Sequence, residues 1–188
     1  MKHLPSILGA AALLFAGLAP APSVSADQTP GKTAPGMTAD VKPATSFTAK
    51  ANASVYGELD FGNRQEHEFA TRGLIDAPEK LELKDESGRI IWSQAAYAFL
   101  DKFKKAPESA NPSLWENTVN NHAYGLFKVV DGIYQVRGYD MANLTVVRGR
   151  TGWIVFDTTM CVECSRAAME LIEKNLGKFP VKAVIISH

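Results

Sequence analysis

The chain has 188 residues, of which 46% are apolar and 21% are charged. These proportions are typical of a globular protein with a substantial core, and they exclude a wholly disordered chain. The 20 Lys and Arg residues balance the 20 Asp and Glu residues. No excess charge therefore favours nucleic acid or an anionic membrane surface as a partner.

The first 26 residues have the pattern of an export signal. Lys2 and His3 precede an apolar run over residues 4–18, and Val24-Ser25-Ala26 provides the small residues that a signal peptidase requires. The apolar run is short for a bilayer crossing, and an uncleaved anchor is the alternative. We predict a signal peptide over residues 1–26, a periplasmic or secreted mature protein, and no stable membrane span.

The next two segments are predicted to be a flexible linker and a folded extension. Residues 27–55 are rich in Pro, Thr, Ala and Lys and have almost no large apolar side chains, which is typical of a linker. Residues 56–110 are predicted to form an N-terminal extension of helices and a hairpin. Apolar spacing predicts the helices over 63–74 and 95–103, and Glu86-Ser87-Gly88 predicts the turn of a hairpin over 81–92.

Residues 111–188 contain a denser pattern of strands. Strands are predicted over 132–138, 143–148 and 153–157, followed by a helix over 160–175 and a buried strand that leads to the last residue. Thr158 or Thr159 is the expected helix cap, and Gly177 is the expected stop. A strand meander that leads into a β-α-β unit, with both sheet faces covered, predicts an α/β sandwich with its chemistry at the strands' carboxyl ends.

Asp157 and His188 are the first candidate pair for chemistry. Each follows a predicted strand, and one crossover joins the two strands, so both are expected at the same edge of the sheet. A histidine at a strand end is suited to bind a metal ion through a neutral ring nitrogen, and a nearby carboxylate can orient that ring. The plainer alternatives are an exposed strand end for His188 and a turn or helix cap for Asp157.

Cys161 and Cys164 form a C-x-x-C motif at the start of the predicted helix. This arrangement can lower the pKa of a thiol, and in an oxidising compartment the pair could close as a disulfide. Two half-buried helix cysteines are the structural alternative. The sequence has only two cysteines, so a four-cysteine zinc site is excluded.

Several runs of residues together resemble the N-terminal part of the bacterial alkyl sulfatases, the linear alkylsulfatases of the metallo-β-lactamase superfamily. The resemblance extends over roughly residues 60–188. The runs that show it are NPSLW (111–115), GLFKV (125–129), DGIYQVRG (131–138), NLT (143–145) and GWI (152–154), with FATRGL (69–74) and AYAFL (96–100) in the extension.

The resemblance implies the first half of an αββα sandwich, in a truncated metallo-β-lactamase domain over residues 111–188, preceded by the helical and hairpin extension. It also implies two zinc ions in the complete enzyme and an alkyl sulfate substrate. The family's metal signature is H-x-H-x-D-H, and VIISH (184–188) aligns with its lead-in and first histidine. The later ligands and the dimerisation region are expected to lie outside this chain, so it is expected to bind zinc incompletely and to be inactive alone.

Met160-Cys161-Val162-Glu163-Cys164 departs from the resemblance, because the family usually has Thr, Glu or Ala residues where this helix opens. The two cysteines therefore point to a second hypothesis, an exported thiol-disulfide exchange protein. A third hypothesis is a non-catalytic remnant that binds a partner or folds poorly.

Overall fold

The computed structural model describes residues 43–102 and 105–187. In this part of the chain, helices α1 to α4 are Ser46–Glu58, Gln65–Thr71, Pro112–Asn121 and Val162–Leu176. A 3-10 helix is formed by Gln94–Lys102. Strands β1 to β8 are Leu74–Asp76, Glu82–Lys84, Ile90–Ser93, Gly125–Val130, Ile133–Arg137, Leu144–Arg148, Trp153–Phe156 and Val181–Ile185. The predicted signal peptide lies outside the described residues.

Six of the strands form one mixed sheet in the order β1-β4-β5-β6-β7-β8. Neighbouring strands pair antiparallel from β1 to β7, and β8 pairs parallel to β7. Because α4 connects β7 to β8, the predicted β-α-β unit is confirmed. The predicted hairpin is also confirmed, since β2 and β3 pair antiparallel with Leu83 opposite Trp92.

One face of the large sheet forms the core with α4 and the β2–β3 hairpin. Alternate residues of the central strands point to this face, and the side chains of Leu126, Val136, Leu144 and Val146 are almost fully buried. Residues Ala168, Leu171 and Ile172 of α4 belong to the same cluster, as do Leu81, Trp153 and Val155. This burial holds the crossover helix against the sheet and fixes where β7 and β8 end.

Two strands are less buried than the sequence predicted. Trp153 and Val155 of β7 are buried, but Phe156 is 38% exposed, so only one face of this strand is fully covered. All five residues of β8 are exposed, and the prediction of a buried strand is wrong for the described structure. Strand β8 is exposed because it lies at the edge of the sheet and pairs only with β7 in the described part of the chain.

One helix lies where the sequence predicted a linker, and a second lies where no helix was predicted. Helix α1 occupies the end of the predicted 27–55 linker, capped by Thr45, whose hydroxyl accepts from the Thr48 N–H at 3.2 Å. Helix α3 was not predicted; it begins at Pro112, where Asn111 Oδ1 accepts from the Ser113 N–H at 2.9 Å. In both helices a polar cap fixes the start.

The third difference is the N-cap of α4, which is Cys161 rather than Thr158 or Thr159. The Cys161 backbone is extended and its Sγ accepts from the Cys164 N–H at 3.3 Å. Thr159 has a φ of 62° and bonds through its hydroxyl to Ser165 at 2.8 Å. The chain therefore still turns at Thr159, and the helix begins later. Gly177 ends the helix as predicted.

Among the described residues, no helix has both the length and the apolar character that a membrane crossing requires.

Burial of α4 should dominate stability. The Ile172 side chain is fully buried, whereas Ile90 is 53% exposed. We expect Ile172→Ala to lower the free energy of unfolding by about 2–5 kcal/mol, because it removes buried methyl groups and leaves a cavity. The matched Ile90→Ala should cost under about 1 kcal/mol. Urea denaturation measures both, and equal losses would contradict the packing described.

An ion pair between β1 and α4 should make stability depend on pH. Asp76 accepts from Lys174 Nζ and Asn175 Nδ2, both at 2.8 Å. The bond from Lys174, followed by the bond from Asn175, lowers the pKa of the Asp76 carboxyl below its ordinary value of 3.8. The resulting stabilisation is present above the unfolded-state pKa and is lost as the pH falls through the lower folded-state pKa.

We therefore expect Asp76→Asn to lose less stability on acidification than the unsubstituted chain. Urea midpoints at about pH 6 and about pH 3 bracket the transition. Lys174→Gln removes the lysine that pairs with Asp76, so this variant should also lose less stability on acidification. An unchanged pH dependence in both variants would show that the pair contributes nothing.

Candidate functional site

Most of the candidate functional side chains lie at one edge of the large sheet. Strand pairing places Arg137 at the end of β5 opposite Gly125 at the start of β4, and Phe156 at the end of β7 opposite Thr145 at the start of β6. Ile185 at the end of β8 lies beside Phe156. The loops 121–124, 138–143, 157–161 and 186–187 therefore all lie at this edge, which we call the carboxyl edge.

Asp157 joins the ends of β7 and β8 at the carboxyl edge. Its backbone N–H donates to the Ile185 carbonyl at 2.9 Å. Its carboxylate accepts from the Ser187 N–H at 2.7 Å and from the Ser187 hydroxyl at 3.0 Å. Asp157 has a φ of 57°, a conformation that aspartate tolerates better than most residues. The carboxylate thus holds the residue that precedes His188, and His188 itself lies outside the described residues.

Asp140 is a second aspartate at the carboxyl edge, and it is 8% exposed. Its Oδ1 accepts from the Met141 N–H, and its Oδ2 accepts from the Met160 N–H at 2.7 Å. The carboxylate therefore ties the loop after β5 to the loop before α4. From the sequence, the loop over residues 139–143 could line a pocket, but a plain turn was the favoured interpretation. The sequence feature that could have identified Asp140 is an acidic residue in a loop directly after a strand.

Cys161 and Cys164 lie beside Asp140. The ligand atoms of the three residues all lie within 4.8 Å of one another. Both cysteines are free thiols; Cys164 is buried and Cys161 is half-buried. Burial, and then the neighbouring Cys161 and Asp140, raise the pKa of the Cys164 thiol well above its ordinary value. Disulfide exchange requires an accessible thiol of lowered pKa, so this geometry does not favour the exchange hypothesis.

A cavity of about 660 Å³ opens at the same edge. Its lining includes Arg137, whose Cζ lies 4.4 Å from the centre of the Phe127 ring and whose Nε donates to Gln135 at 2.7 Å. Burial lowers the pKa of Arg137 from its ordinary value of 12.5, yet arginine stays charged at neutral pH. The cavity lining therefore contains one guanidinium, Arg137, which the sequence did not single out, and one carboxylate, Asp140.

Polar groups around Arg137 complete the cavity wall. Trp92 Nε1 and Gln94 Nε2 both donate to the Gly138 carbonyl, at 2.7 and 2.6 Å, and so fix the end of β5. The buried Gln94 Oε1 and His122 Nδ1 have no hydrogen-bond partner within the described ranges. His122 also lines this cavity, so it is not the plain surface residue that its isolated position in the sequence would indicate.

The sheet topology and this edge define a mixed α/β protein whose reactive and charged groups gather at strand ends. No family model matches the chain. It is 43% identical over 149 residues to an (R)-specific secondary-alkylsulfatase of a Pseudomonas species, covering 79% of this chain and 22% of the relative. It is 40% identical over 147 residues to a linear primary-alkylsulfatase of a Pseudomonas species, covering 78% of this chain and 22% of that relative.

The solved structures give the same relationship. The stereoselective inverting sec-alkylsulfatase Pisa1 of a Pseudomonas species matches with a TM-score of 0.72 and 42% identity, over 81% of this chain and 24% of that chain. The chain is therefore a homologue of the alkylsulfatases, as the sequence resemblance indicated, and it spans about a fifth to a quarter of their length.

The Asp157 carboxylate should control the order of the chain around Ser187. Hydrogen bonds to a charged acceptor contribute about 1.5–3 kcal/mol, so we expect Asp157→Ala to accelerate amide exchange at Ser187 by about tenfold or more. Asp157→Asn retains one acceptor oxygen and should have a smaller effect. Exchange followed by NMR measures this; Asp131→Ala, in the exposed turn after β4, is the control. Equal exchange in all variants would contradict the assignment.

Proposed function

We propose that this chain forms the part of a sulfate ester hydrolase that begins its metal site. The observation that carries the proposal is 43% identity to an alkylsulfatase over 79% of the chain, together with the Asp157 contact to Ser187 at the carboxyl edge. The substrate class is an alkyl sulfate ester, and the fold of the complete protein is an αββα metallo-β-lactamase sandwich.

In this proposal the described residues provide only the approach to a two-zinc site. A catalytic zinc ion requires about three protein ligands. Both oxygens of Asp157 accept hydrogen bonds from Ser187, so the carboxylate holds the residue before His188, and we propose a positioning role for it. Within the described ranges, the one set of three ligand-type side chains is Asp140, Cys161 and Cys164. A complete two-zinc centre does not fit these residues, and we assign its remaining ligands to sequence outside this chain.

In the proposed enzyme, Asp157 determines where His188 can reach. The carboxylate holds the Ser187 backbone next to the end of β7, and His188 is the adjacent residue. In this proposal the histidine is presented from the junction of two paired strands, whose ends Asp157 joins. His188 is the first metal ligand in this proposal, and Asp157 orients it through Ser187.

The cavity supports an anionic substrate. Arg137 places a guanidinium among polar groups at the carboxyl edge, and guanidinium groups match the geometry of oxyanions such as sulfate. The neighbouring Trp92 and Tyr97 add aromatic surface to the lining, which suits the first carbons of an alkyl chain.

The exposed strand β8 supports additional structure beside it. Val184 is 51% exposed and Ile185 is 44% exposed, although apolar side chains of a central sheet strand are normally covered. In the complete enzyme, we propose that further strands and the second sheet cover them. The proposal includes export to the periplasm or the medium, from the signal pattern of residues 1–26, and dimerisation through a region outside this chain.

A chimera tests the function directly. The chain replaces the matching segment of the (R)-specific secondary-alkylsulfatase, and sulfate release from an alkyl sulfate is measured with zinc present. We expect the chimera to be active and Asp157→Asn within it to lose about 10–100-fold in activity, because the histidine is less well oriented. Asp131→Asn is the matched control and should retain activity.

The chain alone should release no sulfate from dodecyl sulfate under the same conditions. Turnover by the isolated chain would show that its own residues complete a catalytic site. A folded but inactive chimera would overturn the proposed function.

A further inference from the structure

We propose that Asp140, Cys161 and Cys164 form a mononuclear binding site for a thiophilic divalent cation, with zinc as the natural occupant. The site lies at the carboxyl edge but uses neither Asp157 nor His188, and it does not depend on the proposed sulfatase activity. Its donors are two sulfur atoms and one carboxylate oxygen that lie within 4.8 Å of one another.

The donor distances fit a small ion. Zinc binds thiolate sulfur at about 2.3 Å and carboxylate oxygen at about 2.0–2.2 Å, so tetrahedral donors lie roughly 3.5–3.8 Å apart. Donors that now lie within 4.8 Å reach those separations through side-chain movements of about 1 Å or less. Three protein donors leave one position for water, and Asp140 lines the solvent-connected cavity from which water or ions can enter.

Hydrogen bonds hold two of the three donors, Asp140 and Cys161, in place. Asp140 is held by N–H groups of Met141 and Met160, which fix a carboxylate as outer hydrogen bonds do in known metal sites. The Cys161 sulfur is the N-cap of α4 and accepts the Cys164 N–H.

Charge balance also favours a cation. Two thiolates and a carboxylate so close together repel one another in a buried site, and a divalent ion offsets two of the three negative charges. Binding forms two metal–sulfur bonds and one metal–oxygen bond and releases the two thiol protons to solvent.

The test uses the full chain, reduced and kept without oxygen, with two free thiols verified by thiol titration. Cobalt(II) is the probe, because its bond to sulfur gives near-ultraviolet charge-transfer absorption. We expect saturation at one equivalent, reversal by zinc, and loss of the charge-transfer absorption in Cys161→Ser. Serine is a favoured N-cap, so that variant keeps the start of α4 and removes only the ligand.

The other variants separate ligation from stability. Cys164→Ala should also lose the absorption, and Asp140→Asn should bind at least about tenfold more weakly, whereas Asp131→Asn and His188→Ala should bind as the unsubstituted chain does. Alkylation of the two thiols in the unsubstituted chain should also abolish the charge-transfer absorption, and this test requires no substitution. No charge-transfer absorption with two free thiols present, or an unchanged spectrum in Cys161→Ser, would overturn the proposal. Loss of binding in His188→Ala would instead assign the ion to the other site.

Discussion

The parallel pairing of β7 and β8 determines where chemistry can occur in this molecule. The two strands run in the same direction because α4 crosses over between them and packs on the core face of the sheet. Both strands therefore end at one edge, and Asp157 bonds across their ends to Ile185 and Ser187. If α4 did not pack there, neither Asp157 nor Ser187 would have a defined place.

The carboxyl edge also depends on the loops that connect the other strands. Asp140 ties the β5–β6 loop to the loop before α4 through Met160. Trp92 and Gln94 bind the end of β5 through the Gly138 carbonyl. The hairpin and 3-10 helix of the extension are therefore part of the wall of the cavity, which explains why the extension and the sheet share one site.

Much of the fold could be predicted from the sequence, and the features that could not be predicted have physical causes. Consecutive apolar residues and a glycine stop identified β7, α4 and β8 as elements, and for β7 and α4 the pattern reflects burial on the core face. The exposure of β8 could not be predicted, since it depends on which strands flank it and not on its own residues. The N-cap at Cys161 was missed because a threonine pair precedes it and cysteine is an unusual cap. Asp140 was missed because only the paired strands show that its loop shares an edge with Asp157. His188 lies outside the described residues, and its role stays a prediction.

The exposed face of β8 has a consequence for handling the isolated chain. An edge strand with unpaired backbone groups and apolar Val184 and Ile185 side chains is a template for intermolecular sheet formation. Self-association should therefore begin at this strand as protein concentration rises. A lysine in place of Val184 would oppose that association without removing any buried contact of the core.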